Sequence, residues 1–258
     1  MWVHAYRLRQ KSHQLEAAFH DAVLADKGSW ISSISLVAYA LCFSIAYVEL
    51  DTGTGALILF SAVQLTMIGW GIYKKERLSA LQWLAFFVAV AGFVYLMLPS
   101  AAVPSLSAAL LMAISGAAWG IYSIRGKSCV SPLRSTGFNF ARSLVAIPIL
   151  LLIAMTSLDN MGLENISLDL ITFEGLILAG ASGAIASGLG YSIWYAAMPL
   201  LKNTQAAVVQ LCVPVLAALL GVVFLSEQLT VEFVIASAVI LGAVLVFILN
   251  KTTLRPAN

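Results

Sequence analysis

About eight apolar runs, each roughly twenty residues long, dictate what this chain can fold into. They lie near 30–49, 55–73, 79–98, 105–124, 136–156, 173–197, 204–225 and 231–250. Each is long enough to cross a hydrocarbon core of about 30 Å. Inside that core every backbone N–H and C=O must find a partner within the protein, so spans of this length are helices. The chain is 61% hydrophobic and 10% charged; a soluble domain could not bury that much apolar surface. The expected fold class is an all-α integral membrane protein in contact with the lipid bilayer. A net charge of +2 is too small to suggest nucleic acid as a partner.

The connections are short and carry turn residues: Asp51-Thr52-Gly53, Pro99-Ser100, Ser131-Pro132 and Lys202-Asn203-Thr204. The exception is 157–172, which carries Asp159, Glu164 and Asp169 but no Lys or Arg. Positive charges alternate along the chain. Lys74, Lys75 and Arg77 follow the second span, Arg125, Lys127 and Arg134 the fourth, Lys202 the sixth, and Lys251 and Arg255 the eighth. Loops after the odd-numbered spans hold none. By the positive-inside rule both termini are expected in the cytoplasm, with 1–29 and 251–258 as cytoplasmic segments. Arg7, Arg9, Lys11, Glu16, Asp21, Asp26 and Lys27 leave no apolar signal-peptide core in 1–29. Cys42, Cys129 and Cys212 have no Cys or His at metal spacing, and their settings do not favour disulfides.

Two segments repeat. In 38–47, AYALCFSIAY, the residues Ala38, Leu41, Ser44, Ile45 and Tyr47 match Ala186, Leu189, Ser192, Ile193 and Tyr195 of 186–195, ASGLGYSIWY. An apolar run follows each copy, then Glu76-Arg77-Leu78 or Glu227-Gln228-Leu229, then a second apolar run. The charge pattern runs the first span outward and the sixth inward. The copies are therefore expected to be inverted, a design that gives a carrier two pseudo-symmetric states with substrate bound where the repeats meet. Small residues stud the spans: Gly116 and Gly120, then Ala179, Gly183 and Ser187, then Ala217 and Gly221. In lipid such residues let helices approach closely, and the glycines of 180–190 could also give a hinge.

Ala118-Trp119-Gly120, Asn139-Phe140-Ala141-Arg142 and VQLCVPVLAALLGVVFLSEQL at 209–229 resemble the drug/metabolite transporter superfamily, EamA branch. The resemblance covers 30–250 and is most specific over 186–242. It implies a carrier of small metabolites in the bacterial inner membrane, often an exporter, built from two inverted five-helix repeats. On that reading 30–98 is a partial first repeat of three helices and 105–250 a complete second one. The spans would be family helices three to ten, with helices one and two absent, as a truncated gene model or a degenerate copy would give. Trp2, Tyr6, Arg7, Arg9 and Lys11 read like the cytoplasmic end of a missing helix, and 12–28 like a short amphipathic helix stopped at Gly28. Missing helices would leave a wall of the pathway open, which partner chains or a homodimer would have to seal. A non-transporting remnant, or a subunit that needs a partner, is the competing reading.

Polar groups within spans must be satisfied or line a wet cavity. Arg142, the one cation well inside an apolar run, is a candidate anchor for an anionic or zwitterionic substrate, or a side chain snorkelling to the interface. Gln210, Asn139 and Gln64 could present amides to a ligand or bond across helices. Gln210 lies one turn before Pro214, where a lost backbone hydrogen bond would open the helix. Trp119, Tyr39 and Tyr191 are candidates to line an amphipathic pocket, whereas Tyr47 and Tyr195 at span ends are expected in the aromatic belt. Glu76 and Glu227 sit in tight turns, as compensation of a helix dipole or as gate contacts. No carboxylate lies near the middle of a span, which weighs against simple proton coupling.

An enzyme is not expected. Gly180-Ala181-Ser182-Gly183 resembles the GxSG element of rhomboid proteases, but that chemistry needs a histidine base. His4, His13 and His20 all precede the first span. Clustered metal ligands are lacking too, and no cofactor is implied.

Overall fold

The computed structural model describes residues 16–98, 103–148, 172–225 and 230–250. Every regular element among them is helical: α1 (16–25), α2 (Trp30–Glu49), α3 (Thr52–Tyr73), α4 (Ala80–Met97), α5 (Leu106–Arg125), α6 (Pro132–Ser143), α7 (Phe173–Ala181), α8 (Gly190–Ala197), α9 (Asn203–Val209), α10 (Val213–Leu225) and α11 (Val231–Leu249). A π-helical stretch, Ser182–Leu189, joins α7 to α8, and a 3₁₀ turn, Gln210–Cys212, joins α9 to α10. Among the described residues six helical stretches are long and apolar enough to cross a membrane. Large apolar side chains such as Val48, Leu65 and Ile193 stand exposed on them, as a hydrocarbon solvent requires. The fifth expected span begins earlier than its apolar run, because Pro132 starts α6, where its missing N–H costs nothing. The rest of that run, from 149 to 156, lies outside the described residues.

The chain divides into two compact units, Met1–Val37 with Arg125–Pro199, and Ala38–Ile124 with Leu200–Asn258. The second contains the larger core. There α4 lies along α11 and α3 against α9. Ala85, Ala89 and Phe93 of α4 pack with Val208, Leu211 and Val215, and with Ile240, Val244 and Phe247 of α11. These pairs match the internal repeat: span two meets span seven, and span three meets span eight. Small residues set the spacing. A Cβ on Gly116 would stand 2.4 Å from the Leu59 carbonyl oxygen, and one on Gly120 2.8 Å from Thr66 Cβ. At the start of α4, Ser79 and Gln82 form a capping box. Gln82 Nε2 also donates to the carbonyls of Phe247 and Asn250, tying α4 to the end of α11.

In the first unit α6 packs against α8 and the π-helical stretch. The described part of the expected amphipathic helix is α1, and Gly28 beyond it has φ +62°. That left-handed turn redirects the chain into α2.

Candidate functional site

Pro214 explains the break between α9 and α10. Lacking an N–H, it cannot bond the carbonyl of Gln210 four residues earlier. The N–H of Val213 donates to that carbonyl instead, tightening the turn to 3₁₀ geometry. The Gln210 side chain faces the packed interior at 5% exposure.

Three of the sequence candidates meet at this break. Trp119 Nε1 donates to Gln210 Oε1 at 2.5 Å. The Tyr39 ring lies 5.0 Å from the Trp119 ring, and the Tyr122 ring stacks on it at 5.7 Å. Gln210 Nε2 donates to the Ala206 carbonyl at 3.2 Å and approaches Met67 Sδ at 3.1 Å. The Tyr39 backbone is held by Ser115, whose hydroxyl donates to its carbonyl at 2.9 Å. Gln64 joins from α3: its Nε2 donates to the Ala207 carbonyl at 2.8 Å, while its buried Oε1 has no partner. A buried acceptor without a donor costs about 1–3 kcal/mol, so this corner of the site has capacity for a ligand or water proton.

Glu76 lies elsewhere in the same unit. Its Oε1 accepts from the amide N–H and side-chain Nδ2 of Asn203, at 2.9 and 2.8 Å, and its Oε2 from Thr204. The residue before α9 is Lys202, which has no side-chain acceptor. Glu76 therefore caps α9 from a different part of the chain. Burial raises the Glu76 pKa, but the four hydrogen bonds from Thr204 and Asn203 outweigh it and hold the carboxyl below its usual range. Glu227, its counterpart in the repeat, lies outside the described residues.

The other three candidates belong to the first unit. Asn139 is fully buried, and its Oδ1 accepts the Ser29 N–H at 3.0 Å. Arg142 Nη1 donates to the Lys27 carbonyl at 2.5 Å, and its guanidinium lies over the Trp30 and Phe138 rings at 5.6 and 6.0 Å. Tyr191 packs on Phe140 at 5.8 Å. Beside that pair, the π-helical stretch and α6 enclose a cleft of about 320 Å³ lined by Thr136, Gly137, Phe140, Gly183 and Gly188. Sequence reasoning placed Tyr195 in an interfacial belt; the structure buries it at 2% exposure. The reason is Gly126, where a Cβ would stand 2.8 Å from the Tyr195 ring. Tyr47 is half-buried, packed on Gly55.

Sequence reasoning also missed a polar pocket of about 160 Å³ lined by Asp26, Ser29, Arg125, Ser128, Asn139 and Tyr195, among others. Asp26 anchors it. One oxygen accepts from Gly28 N–H and the Ser135 hydroxyl, and the other from Val130 and Ser131 N–H, both at 2.8 Å. Burial works against its charge, but these donors prevail and keep the carboxyl below its ordinary value. The one local signal was Gly28 in the run Asp26-Lys27-Gly28-Ser29.

Long apolar helices, a span interrupted by proline and a buried amide–indole pair define a multi-pass α-helical membrane protein. Residues 106–249, more than half of the chain, match the EamA-like transporter family. The chain belongs to that family. It is 44% identical over 218 residues to Uncharacterized protein PA1977 of Pseudomonas aeruginosa, a match covering 84% of this chain and 72% of that protein. A solved crystal structure shares the fold with a TM-score of 0.67 at 19% identity, over 90% of this chain and 80% of its own.

Proposed function

We propose that this protein is a secondary transporter that moves small organic metabolites, amino-acid-like compounds among them, outward across a bacterial inner membrane by alternating access. Both termini lie in the cytoplasm on this reading, as the alternation of Lys and Arg requires. The observation that carries it is the broken helix between α9 and α10, with Gln210, Trp119 and Tyr39 gathered at the break. Irregular backbone at membrane depth survives only where it is enclosed by protein or lines a cavity, and carriers place substrate sites at such breaks.

The roles follow from the chemistry. Trp119 and Tyr39 offer aromatic faces to the apolar part of a solute. Gln210 and Gln64 offer amide groups to its polar part, Gln64 through an oxygen without a donor. The packing of span two on seven and three on eight agrees with inverted repeats arranged around a shared axis. Asn139, Arg142 and Tyr191 belong to the other compact unit, and Arg142 is already occupied by the Lys27 carbonyl.

Flux into liposomes tests the reading. A thermal-shift screen against small metabolites finds ligands, because a compound that binds only the folded form raises its stability. Reconstituted protein should then move those hits across the bilayer. Folded protein that carries none of the compounds stabilising it would overturn the proposal.

A further inference from the structure

The pocket beside Asn139 contains a donor that the protein leaves unused. Asn139 Oδ1 is committed to the Ser29 N–H, which fixes the orientation of the amide, and the buried Nδ2 is left without an acceptor among the described residues. The residue is 0% exposed. Groups so deeply buried are nearly always paired, and an orphan in a cavity marks the place of something that completes it.

The walls define what that is. Asp26 cannot serve Asn139, because both of its oxygens are taken up by the backbone N–H groups of Gly28, Val130 and Ser131 and by the Ser135 hydroxyl. Arg125 brings a guanidinium to the same cavity, with Nε donating to Ser29 Oγ at 3.1 Å. Donors thus remain while the carboxylate's acceptors are saturated. Gly28 holds the geometry in place: a Cβ there would stand 2.2 Å from Asn139 Oδ1.

We infer that this pocket binds a small oxyanion, of phosphate or carboxylate size, between Asn139 Nδ2 and the Arg125 guanidinium. The cavity of about 160 Å³ accommodates such a group. Guanidinium and amide donors suit the two or more acceptor oxygens of an oxyanion. The phosphate of an anionic lipid headgroup carries the same chemistry as free phosphate, so the test separates the two. The binding does not depend on the chain being a carrier.

Full-length protein in a non-ionic detergent is titrated with inorganic phosphate at constant ionic strength set by chloride, and thermal unfolding is followed. A saturable rise in the melting temperature is expected. Arg125→Gln should weaken the apparent affinity by about tenfold or more, the loss expected for one charge-assisted contact. Ser128 is exposed at the cavity rim, where its hydroxyl donates to the Arg125 carbonyl at 3.1 Å, and Ser128→Asp sets a negative charge there. It should weaken phosphate comparably, read as the rise in melting temperature over the variant's own phosphate-free value. A response seen only in nanodiscs containing phosphatidylglycerol, and lost in Ser128→Asp, assigns the oxyanion to a lipid. No response to either source, or an equal response from wild type and both variants, overturns the inference.

Discussion

Glu76 Oε2 accepts from both the backbone N–H and the hydroxyl of Thr204, at 3.0 and 2.9 Å. The two residues lie far apart in sequence, and the bond joins the end of span two to the first turn of span seven. The Glu76 carboxyl titrates below the usual glutamate range, so its contribution should be complete above the ordinary value of 4.5 and lost as pH falls through its lowered folded value. Glu76→Ala is expected to cost about 1–2 kcal/mol at pH 7, as the loss of a helix cap does. Thermal unfolding of wild type and variant across pH checks this: the gap should narrow only below 4.5.

Lys75 aims that carboxylate. It holds φ +62°, and the N–H of Glu76 bonds the Gly71 carbonyl in a Schellman turn. A residue with a Cβ is strained there by roughly 1 kcal/mol. Lys75→Gly should therefore stabilise the protein by about that amount, whereas Lys75→Val should destabilise it. Denaturation midpoints in detergent discriminate the two.

Gly116 and Gly242 make a matched pair. A Cβ on Gly116 would press on the Leu59 carbonyl oxygen, which is backbone and cannot swing aside, whereas one on Gly242 meets nothing within 4 Å. Gly116→Ala is expected to cost about 1–3 kcal/mol through forced backbone shifts. Gly242→Ala should gain up to about 1 kcal/mol from helix propensity alone. Melting temperatures of the two variants should move in opposite directions.

For the proposed substrate wall, Trp119→Phe keeps an aromatic ring but removes the indole N–H that donates to Gln210, together with part of the ring face. It should lower liposome flux by about tenfold while the protein still folds, and Gln210→Ala should lower it further, consistent with loss of a charge-free contact worth about 1–2 kcal/mol or more. Flux at wild-type level in both variants would remove these residues from the pathway.

Arg142 tests the opposite role. Its guanidinium is used by the Lys27 carbonyl and by the rings of Trp30 and Phe138. Arg142→Ala should lower thermal stability by about 1–2 kcal/mol, and its effect on the apparent KM of transport should be small. A large rise in KM with unchanged stability would restore it as a substrate anchor.

Element identity was legible in the sequence because hydrocarbon leaves the backbone no choice. Runs long enough to cross it become helices, and α2, α3, α4, α5 and α11 begin and end within a few residues of their apolar runs. Pro214 announced the break in span seven for an equally local reason, the absence of one N–H. Gly116 and Gly120 could be read as packing residues from their spacing, although not the partners they meet.

Long-range pairing was beyond local reading. Nothing near Glu76 tells that it caps a helix starting at Asn203, although Lys202, unable to cap, hinted that an acceptor must come from elsewhere. Tyr195 has the position of a belt residue, and only the glycine at 126 brings the backbone close enough to bury it. The polar pocket is the clearest case. Asp26, Arg125 and Asn139 sit in three separate parts of the chain, and each reads alone as a loop charge or packing amide. Composition and periodicity decided that this chain spans a membrane as helices, since that follows from the solvent each residue meets. The tertiary structure alone decided which buried donors and acceptors find one another, since that depends on distances between residues remote in sequence.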